Sequence, residues 1–165
     1  MILYVLRHGI AEDASASGDD SSRHLTPGGQ KKLRAAAIGM RDFGLRFDAI
    51  LTSPLARAAE TAAIVAEAFG REPAPRELQA LEPGVAPAET VRALRPFSRE
   101  EQVMIVGHEP GLSGVVAFLL TGSPDGLKLV LKKGGLVTLE VGDPGRTRAV
   151  LRWMLTPRQM RRLGG

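Results

Sequence analysis

The chain predicts an α/β fold: a three-layer α/β/α sandwich with a mainly parallel central sheet and antiparallel C-terminal strands. Three observations carry that expectation. Short apolar runs at Ile2–Leu6, Asp48–Thr52 and Gln102–Gly107 are each followed by a segment with helical spacing of apolar residues. Proline and glycine punctuate the helix ends. The last third changes rhythm, with hairpin-like spacing at Lys128–Lys133, Gly135–Val141 and Arg148–Met154.

The elements follow in order. Ile2–Leu6 has no polar lead-in and reads as a strand buried in the sheet. Glu12–Ser22 is rich in Ser, Asp and Gly and reads as an exposed, mobile loop. Thr26-Pro27 signals an N-cap with proline at the first helical position, and Leu33, Ala36, Ala37, Met40 and Phe43 form the stripe of that helix up to Gly44. Asp48–Thr52 is the second strand. Ser53-Pro54 repeats the cap-and-proline signal, and Leu55, Ala58, Ala59, Ala62, Val65, Ala66 and Phe69 run along a helix that Gly70 ends.

Pro73 and Pro75 mark a connector, Glu77-Leu78 an edge strand, and Ala88–Leu94 a further helix. Gln102–Gly107 is the third strong strand, and Pro110-Gly111 opens a helix bearing Leu112, Val115, Val116, Leu119 and Leu120. In the tail, Gly142-Asp143-Pro144-Gly145 reads as a turn, and Thr156-Pro157 caps a short basic helix. No repeat or linker divides residues 1–165, so a single domain is expected.

Composition narrows the function. The chain has 165 residues, no cysteine and a formal net charge of +4. Disulfides and thiolate metal sites are thereby excluded. No secretory leader is evident, and the longest apolar runs fall short of the ~20 residues of a membrane helix, so a cytoplasmic protein without membrane contact is expected. The positive excess gathers at Arg146, Arg148, Arg152, Arg158, Arg161 and Arg162. It suits an anionic partner, but with aromatics at only 4% the stacking platforms of a nucleic-acid binder are scarce, and none is expected.

The ends of the three strong strands are the informative places, because ligands of open α/β sheets gather beyond the carboxyl ends of strands. The first ends in Arg7-His8-Gly9, the second in Thr52-Ser53-Pro54 with Arg57 one turn into the next helix, and the third in Gly107-His108-Glu109-Pro110. If these strands are parallel neighbours, two arginines and two histidines converge. Arginine forks bind phosphate oxygens in charge-assisted pairs, and helix N-termini near Ser53 and Gly111 add free amides. His8, beside the Gly9 turn, is the better-placed nucleophile, and His108 a hydrogen-bond donor to the phosphoryl group. Gly9 allows close approach of backbone to ligand.

No metal or other cofactor is required where arginines supply the charge. The ordinary alternatives are an Arg57 that pairs with Glu60 at i+3, and a His108 that is a strand-end residue or joins His8 on a metal. No third histidine or carboxylate pair completes such a metal site at useful spacing. His24 reads as surface or pocket rim.

Leu6-Arg7-His8-Gly9, the stretch from Thr52-Ser53-Pro54 through Arg57-Ala58-Ala59-Glu60-Thr61-Ala62, and Val106-Gly107-His108-Glu109-Pro110 together resemble the histidine phosphatase superfamily, of phosphoglycerate mutase-like fold. The short length, the tail Trp153-Met154-Leu155-Thr156-Pro157 and the segment Arg23–Gly29 resemble its small SixA-type phosphohistidine phosphatases. The resemblance implies a transient phosphohistidine at His8, with Arg7, Arg57 and His108 binding the phosphoryl group and water releasing phosphate. It also implies a phosphorylated protein or a small phosphate ester as partner.

Many members of the superfamily place a carboxylic acid after the second helix to protonate the leaving group. Glu77, Glu82 and Glu89 fall there, and Glu82 in Leu81-Glu82-Pro83-Gly84 is the best of them by position; a solvated loop carboxylate is its alternative. Three functions stay open: a phosphohistidine phosphatase, a phosphomonoesterase of small metabolites, and a phosphate- or phosphoprotein-binding module.

Overall fold

Strand β1 (Ile2–Arg7) lies in the middle of the sheet, which explains why it is apolar on both faces. In the computed structural model, which describes residues 1–142 and 148–163, it pairs in parallel with β4 (Gln102–Gly107) and antiparallel with β5 (Leu136–Glu140). Beyond β4 lie β2 (Ala49–Thr52) and the short edge strand β3 (Arg76–Glu77), both parallel. Beyond β5 lies the antiparallel β6 (Val150–Leu155). The sheet order is β3-β2-β4-β1-β5-β6.

Side chains alternate across this sheet with the period of two that a strand imposes. Leu3, Val5, Val103, Ile105, Ala49 and Leu51 face one way, against α3 (Pro87–Ala93) and α4 (Gly111–Thr121). Tyr4, Leu6, Met104, Val106 and Ile50 face the other, against α1 (Pro27–Asp42), α2 (Ala56–Ala68) and α5 (Pro157–Leu163). The helices thus form the two outer layers, and the fold class read from the sequence holds.

Local chemistry sets the helix starts. Thr26 accepts the Gly29 amide at 3.0 Å, and Pro27 needs no amide partner at the first position of α1. Gly29 is required there, because a Cβ would stand 2.2 Å from the Ile10 carbonyl oxygen. Thr156 plays the same part for α5, accepting the Gln159 amide at 3.3 Å.

Four local expectations change. α2 starts at Ala56 behind Leu55, so Ser53 does not cap it and is free to bond elsewhere. Phe43 is exposed and meets Trp153 edge-on instead of entering the core. The edge strand β3 sits one residue earlier than Glu77-Leu78. Lys128–Lys133 is a loop, not a strand, because it folds back over the end of β1: the Gly134 amide bonds the Arg7 and His8 carbonyls at 3.0 and 2.9 Å. Apart from Gly142, the turn expected at 142–145 lies outside the described residues, as does Arg146. Among the described residues no helix is long and apolar enough to cross a membrane.

Candidate active site

Register brings the three strand ends level. Arg7 lies opposite Gly107, and Thr52 opposite Val106. One residue further, the His8 amide bonds the Gly107 carbonyl and the Ser53 amide the Val106 carbonyl, both at 3.0 Å. The side chains of His8 and His108 therefore meet, with ring centroids 5.1 Å apart. Both histidines and Arg57 are 5% exposed, and the charges of Arg7 and Arg57 act on both rings.

His8 is held in one tautomer. Its Nδ1–H donates to the Gly9 carbonyl at 2.7 Å, which leaves Nε2 with a free lone pair. Burial is the main force that pushes its pKa down to about 4, against the pull of that hydrogen bond; Arg57, Arg7 and Lys133 lower it further. His8 is thus a neutral base at ordinary pH.

Gly9 has another role than a sharp left-handed turn. Its φ is not positive, and a Cβ would meet Leu25 Cδ2 at 3.3 Å, so smallness serves packing under Leu25. Its amide donates to Thr61 Oγ1 at 3.0 Å, and that hydroxyl donates to the Arg57 carbonyl at 2.7 Å. Thr61, fully buried, ties the turn after His8 to the turn of α2 that carries Arg57. It lies in the conspicuous stretch after Arg57, yet only the fold shows that it reaches Gly9.

The two arginines are held differently. Arg7 Nη1 donates to the Leu131 carbonyl at 2.9 Å, so the 128–133 loop fixes its fork. Arg57 does not pair with Glu60. Its Nη2 donates to Asp20 Oδ2 at 2.9 Å and its Nη1 to the Asp20 carbonyl at 2.7 Å. The Arg57 and Arg23 guanidiniums hold the Asp20 carboxyl below its ordinary range.

Glu60 instead accepts from the Leu25 amide at 2.8 Å and bonds the His24 ring, which raises the His24 pKa. The Glu12–Ser22 loop is exposed as expected, but a 3-10 turn at Asp20–Ser22 brings Asp20 to the pocket and Arg57 anchors it there. His24 is exposed at the surface, beside Glu60. Composition could show a polar loop; it could not show which of its carboxylates returns to an arginine 37 residues away.

His108 Nε2 shares a hydrogen bond of 2.9 Å with Ser53 Oγ. Burial, then the charges of His8 and Arg57, push its pKa down to about 3. Its Nδ1 and the Nε atoms of Arg7 and Arg57 are buried without a partner among the described residues, which an oxyanion would remedy. Glu82 is half-buried in a narrow cleft that it shares with His108, Thr90 and Leu112. Glu77 lies exposed on β3 and Glu89 exposed in the first turn of α3. Among the described residues no group of three or more His, Asp or Glu is placed to hold a metal ion.

A buried neutral histidine with a free nitrogen, ringed by two guanidiniums and a second imidazole at the ends of parallel strands, defines a phosphoryl-handling enzyme. The comparisons with known proteins agree. The profile of the histidine phosphatase superfamily (branch 1) matches residues 3–81. A protein of Picosynechococcus sp. is 36% identical over 149 residues, 86% of each chain.

Among solved structures, the protein histidine phosphatase SixA complexed with tungstate superposes with a TM-score of 0.84 at 22% identity, covering 96% of this chain and 98% of that one. The α-ribazole phosphatase of Shigella flexneri superposes with a TM-score of 0.76 at 18% identity, covering 95% and 97%. The chain belongs to the histidine phosphatase superfamily and is a phosphatase with the SixA fold.

Proposed function

We propose that residues 1–165 act as one histidine phosphatase domain that dephosphorylates phosphohistidine on a signalling protein, without a metal, through a phosphohistidine intermediate at His8. The observation that carries the reading is the free Nε2 of a neutral His8 in a buried cationic pocket. Its lone pair attacks phosphorus in line, and the bond from phosphorus to the substrate imidazole breaks. The leaving nitrogen keeps the electron pair of the broken bond and takes a proton from solvent, which is returned when the phosphate formed from water in the second step ionises. Water then attacks the phosphoenzyme, returns the electron pair to Nε2 and releases inorganic phosphate.

Throughout, the proton stays on Nδ1, which donates it to the Gly9 carbonyl. Arg7, Arg57 and His108 hold the phosphoryl oxygens, and they supply charge stabilisation where a metal otherwise would. Asp20 must leave Arg57 as the phosphoryl group enters. A solved structure of the same fold is a complex with tungstate, which supports oxyanion binding by this fold. We place the reaction in the cytoplasm, where phosphoryl donors, and hence phosphorylated side chains, are made.

The substrate class follows from the acid. Asp20, the carboxylate bonded to Arg57, is held ionised by it and is a poor proton donor. Imidazole, whose conjugate acid has a pKa of about 6.5, needs less protonation on leaving than an alkoxide. The second reading, a phosphomonoesterase of small metabolites, is favoured by Glu82, which shares a cleft with His108 and is the candidate donor to an ester oxygen.

The test is phosphate release by the EDTA-treated protein from a phosphohistidine-bearing phosphotransfer domain and from a panel of small esters. We expect rapid release from the phosphoprotein, at least a thousandfold slower in His8→Ala. Glu82→Gln should change it less than about threefold. Release mainly from esters, lost in Glu82→Gln, would establish the second reading.

A further inference from the structure

A second basic surface adjoins the phosphate pocket and takes no part in the chemistry above. Between α1, residues 132–134 and the start of α5 lies an open crevice of about 540 Å³. Gly9 and Ile10 form its inner end, so it begins at the backbone of the nucleophile's own turn. Lys32, Lys132, Lys133, Arg158 and Arg161 line it. None of the five has a carboxylate within ion-pair distance among the described residues.

Five like charges around one hollow repel each other, and nothing in the described fold offsets that. Arg152, by contrast, is paired with Glu140 on the sheet edge at 2.8 Å, so the basic tail is not one uniform patch. The crevice is also continuous in field with the active site, since Lys133 acts on His8. Its floor is apolar, from Leu33, Ala36 and Pro157. A ligand that fills it presents carboxylates to the rim and aliphatic carbon to the floor.

We propose that this crevice docks an acidic stretch of the phosphorylated protein substrate while the phosphoryl group sits at His8. The choice of occupant rests on the phosphoprotein reading above. A polypeptide with acidic side chains beside its phosphorylated residue matches both the rim charge and the apolar floor. The recognition acts on KM, because the docked carboxylates remain bound equally before and during phosphoryl transfer.

The experiment crosses flank charge with phosphoamino acid. Four synthetic peptides carry phosphohistidine or phosphoserine, flanked by glutamates or by glutamines. Each is turned over by the wild-type chain, by the double variant Lys32→Glu/Arg158→Glu, and by the milder Lys32→Gln/Arg158→Gln. Lys32 and Arg158 are exposed, so both variants are expected to fold, which circular dichroism checks. Phenyl phosphate, which has no flank, is the control.

For whichever phosphoamino acid is hydrolysed, the wild type is expected to show a KM about tenfold lower for glutamate flanks, an advantage that shrinks with added salt. The double variant should lose or invert it, the glutamine variant should fall between, and phenyl phosphate turnover should stay within about twofold. Equal KM values for the two flanks would overturn the docking site, whatever the phosphoamino acid. A flank preference on phosphoserine with no hydrolysis of phosphohistidine would keep the docking site and overturn the phosphohistidine reading. Flank-blind turnover with inhibition by tripolyphosphate, relieved in Lys32→Glu/Arg158→Glu, would give the crevice to a small polyanion and overturn the peptide as occupant.

Discussion

The strand ends that carry His8 and His108, and the 12–26 segment that carries Asp20 and His24, meet around Arg57 and are held by different physics. Below, the histidines are 5% exposed and every neighbouring turn is tied by backbone bonds or by the Thr61 hydroxyl. Above, the Asp20 and His24 side chains are both 59% exposed, and two carboxylates fasten the segment to α2, Asp20 on Arg57 and Glu60 on the His24 ring and the Leu25 amide. The lower region resists change because its polar groups cannot be solvated once a partner is lost. The upper one is exchangeable, because water or an incoming oxyanion can replace its partners. A phosphatase needs both: a fixed nucleophile and a wall that yields its arginine to the substrate.

The sharpest way to break this contrast is in the lower region. Thr61→Val keeps volume but removes the acceptor of the buried Gly9 amide. We expect a loss of about 1–3 kcal/mol in denaturant unfolding, the range for an unsatisfied buried donor. We also expect kcat to fall about tenfold through misplacement of His8. Wild-type stability and kcat would show that the turn is held by something else.

Acid tests the same region by another route. His8 is pushed down to about 4 and His108 to about 3, largely by burial, while both titrate at an ordinary 6.5 in the unfolded chain. The unfolded chain therefore takes up protons first. The stability from keeping these rings neutral is complete above pH 6.5 and is lost as pH falls from 6.5 towards 4 for His8 and towards 3 for His108. Denaturant midpoints across that window should show the decline, and the acid limb of kcat/KM should lie near pH 4, after correction for substrate ionisation. A limb near 6.5 would mean that His8 is solvated.

These two regions were also unequally legible in the sequence. Arg7, His8, Arg57 and His108 could be placed together because each follows an apolar strand, and parallel strands open their carboxyl ends on one side. Ser53 was misread as a cap because Ser-Pro is a helix-start signal; here the hydroxyl serves His108. Lys128–Lys133 has the short apolar run of a strand, Leu129-Val130-Leu131, but its backbone is used to clamp Arg7, a tertiary demand that no local pattern encodes. Glu60 lies at ion-pair spacing from Arg57, and helix geometry alone favours that pair. The competing Asp20 and His24 are supplied by a segment whose path is set by Leu25 packing on Gly9, not by its polar sequence.

Smaller effects sharpen the upper half of the contrast. Asp20→Ala removes the carboxylate that competes for Arg57, so tungstate and phosphate should inhibit at concentrations about threefold lower than in the wild type. An unchanged inhibition constant would show that the contact does not compete with anions in solution. The smallest effect belongs to Glu60→Gln. NMR titration should show the His24 pKa fall back towards its ordinary value, with turnover changed less than about twofold.

The central claim, that a tautomer-fixed His8 takes the phosphoryl group on Nε2, is tested most directly by trapping the intermediate. The protein would be mixed with a phosphohistidine-bearing substrate, quenched in alkali within a single turnover, and analysed by phosphorus–nitrogen NMR correlation and peptide mass spectrometry. One phosphoryl group bonded to Nε2 of His8 is the predicted result. A phosphoryl group on Nδ1 or on His108, or single-turnover release of phosphate with no phosphoenzyme, would contradict it.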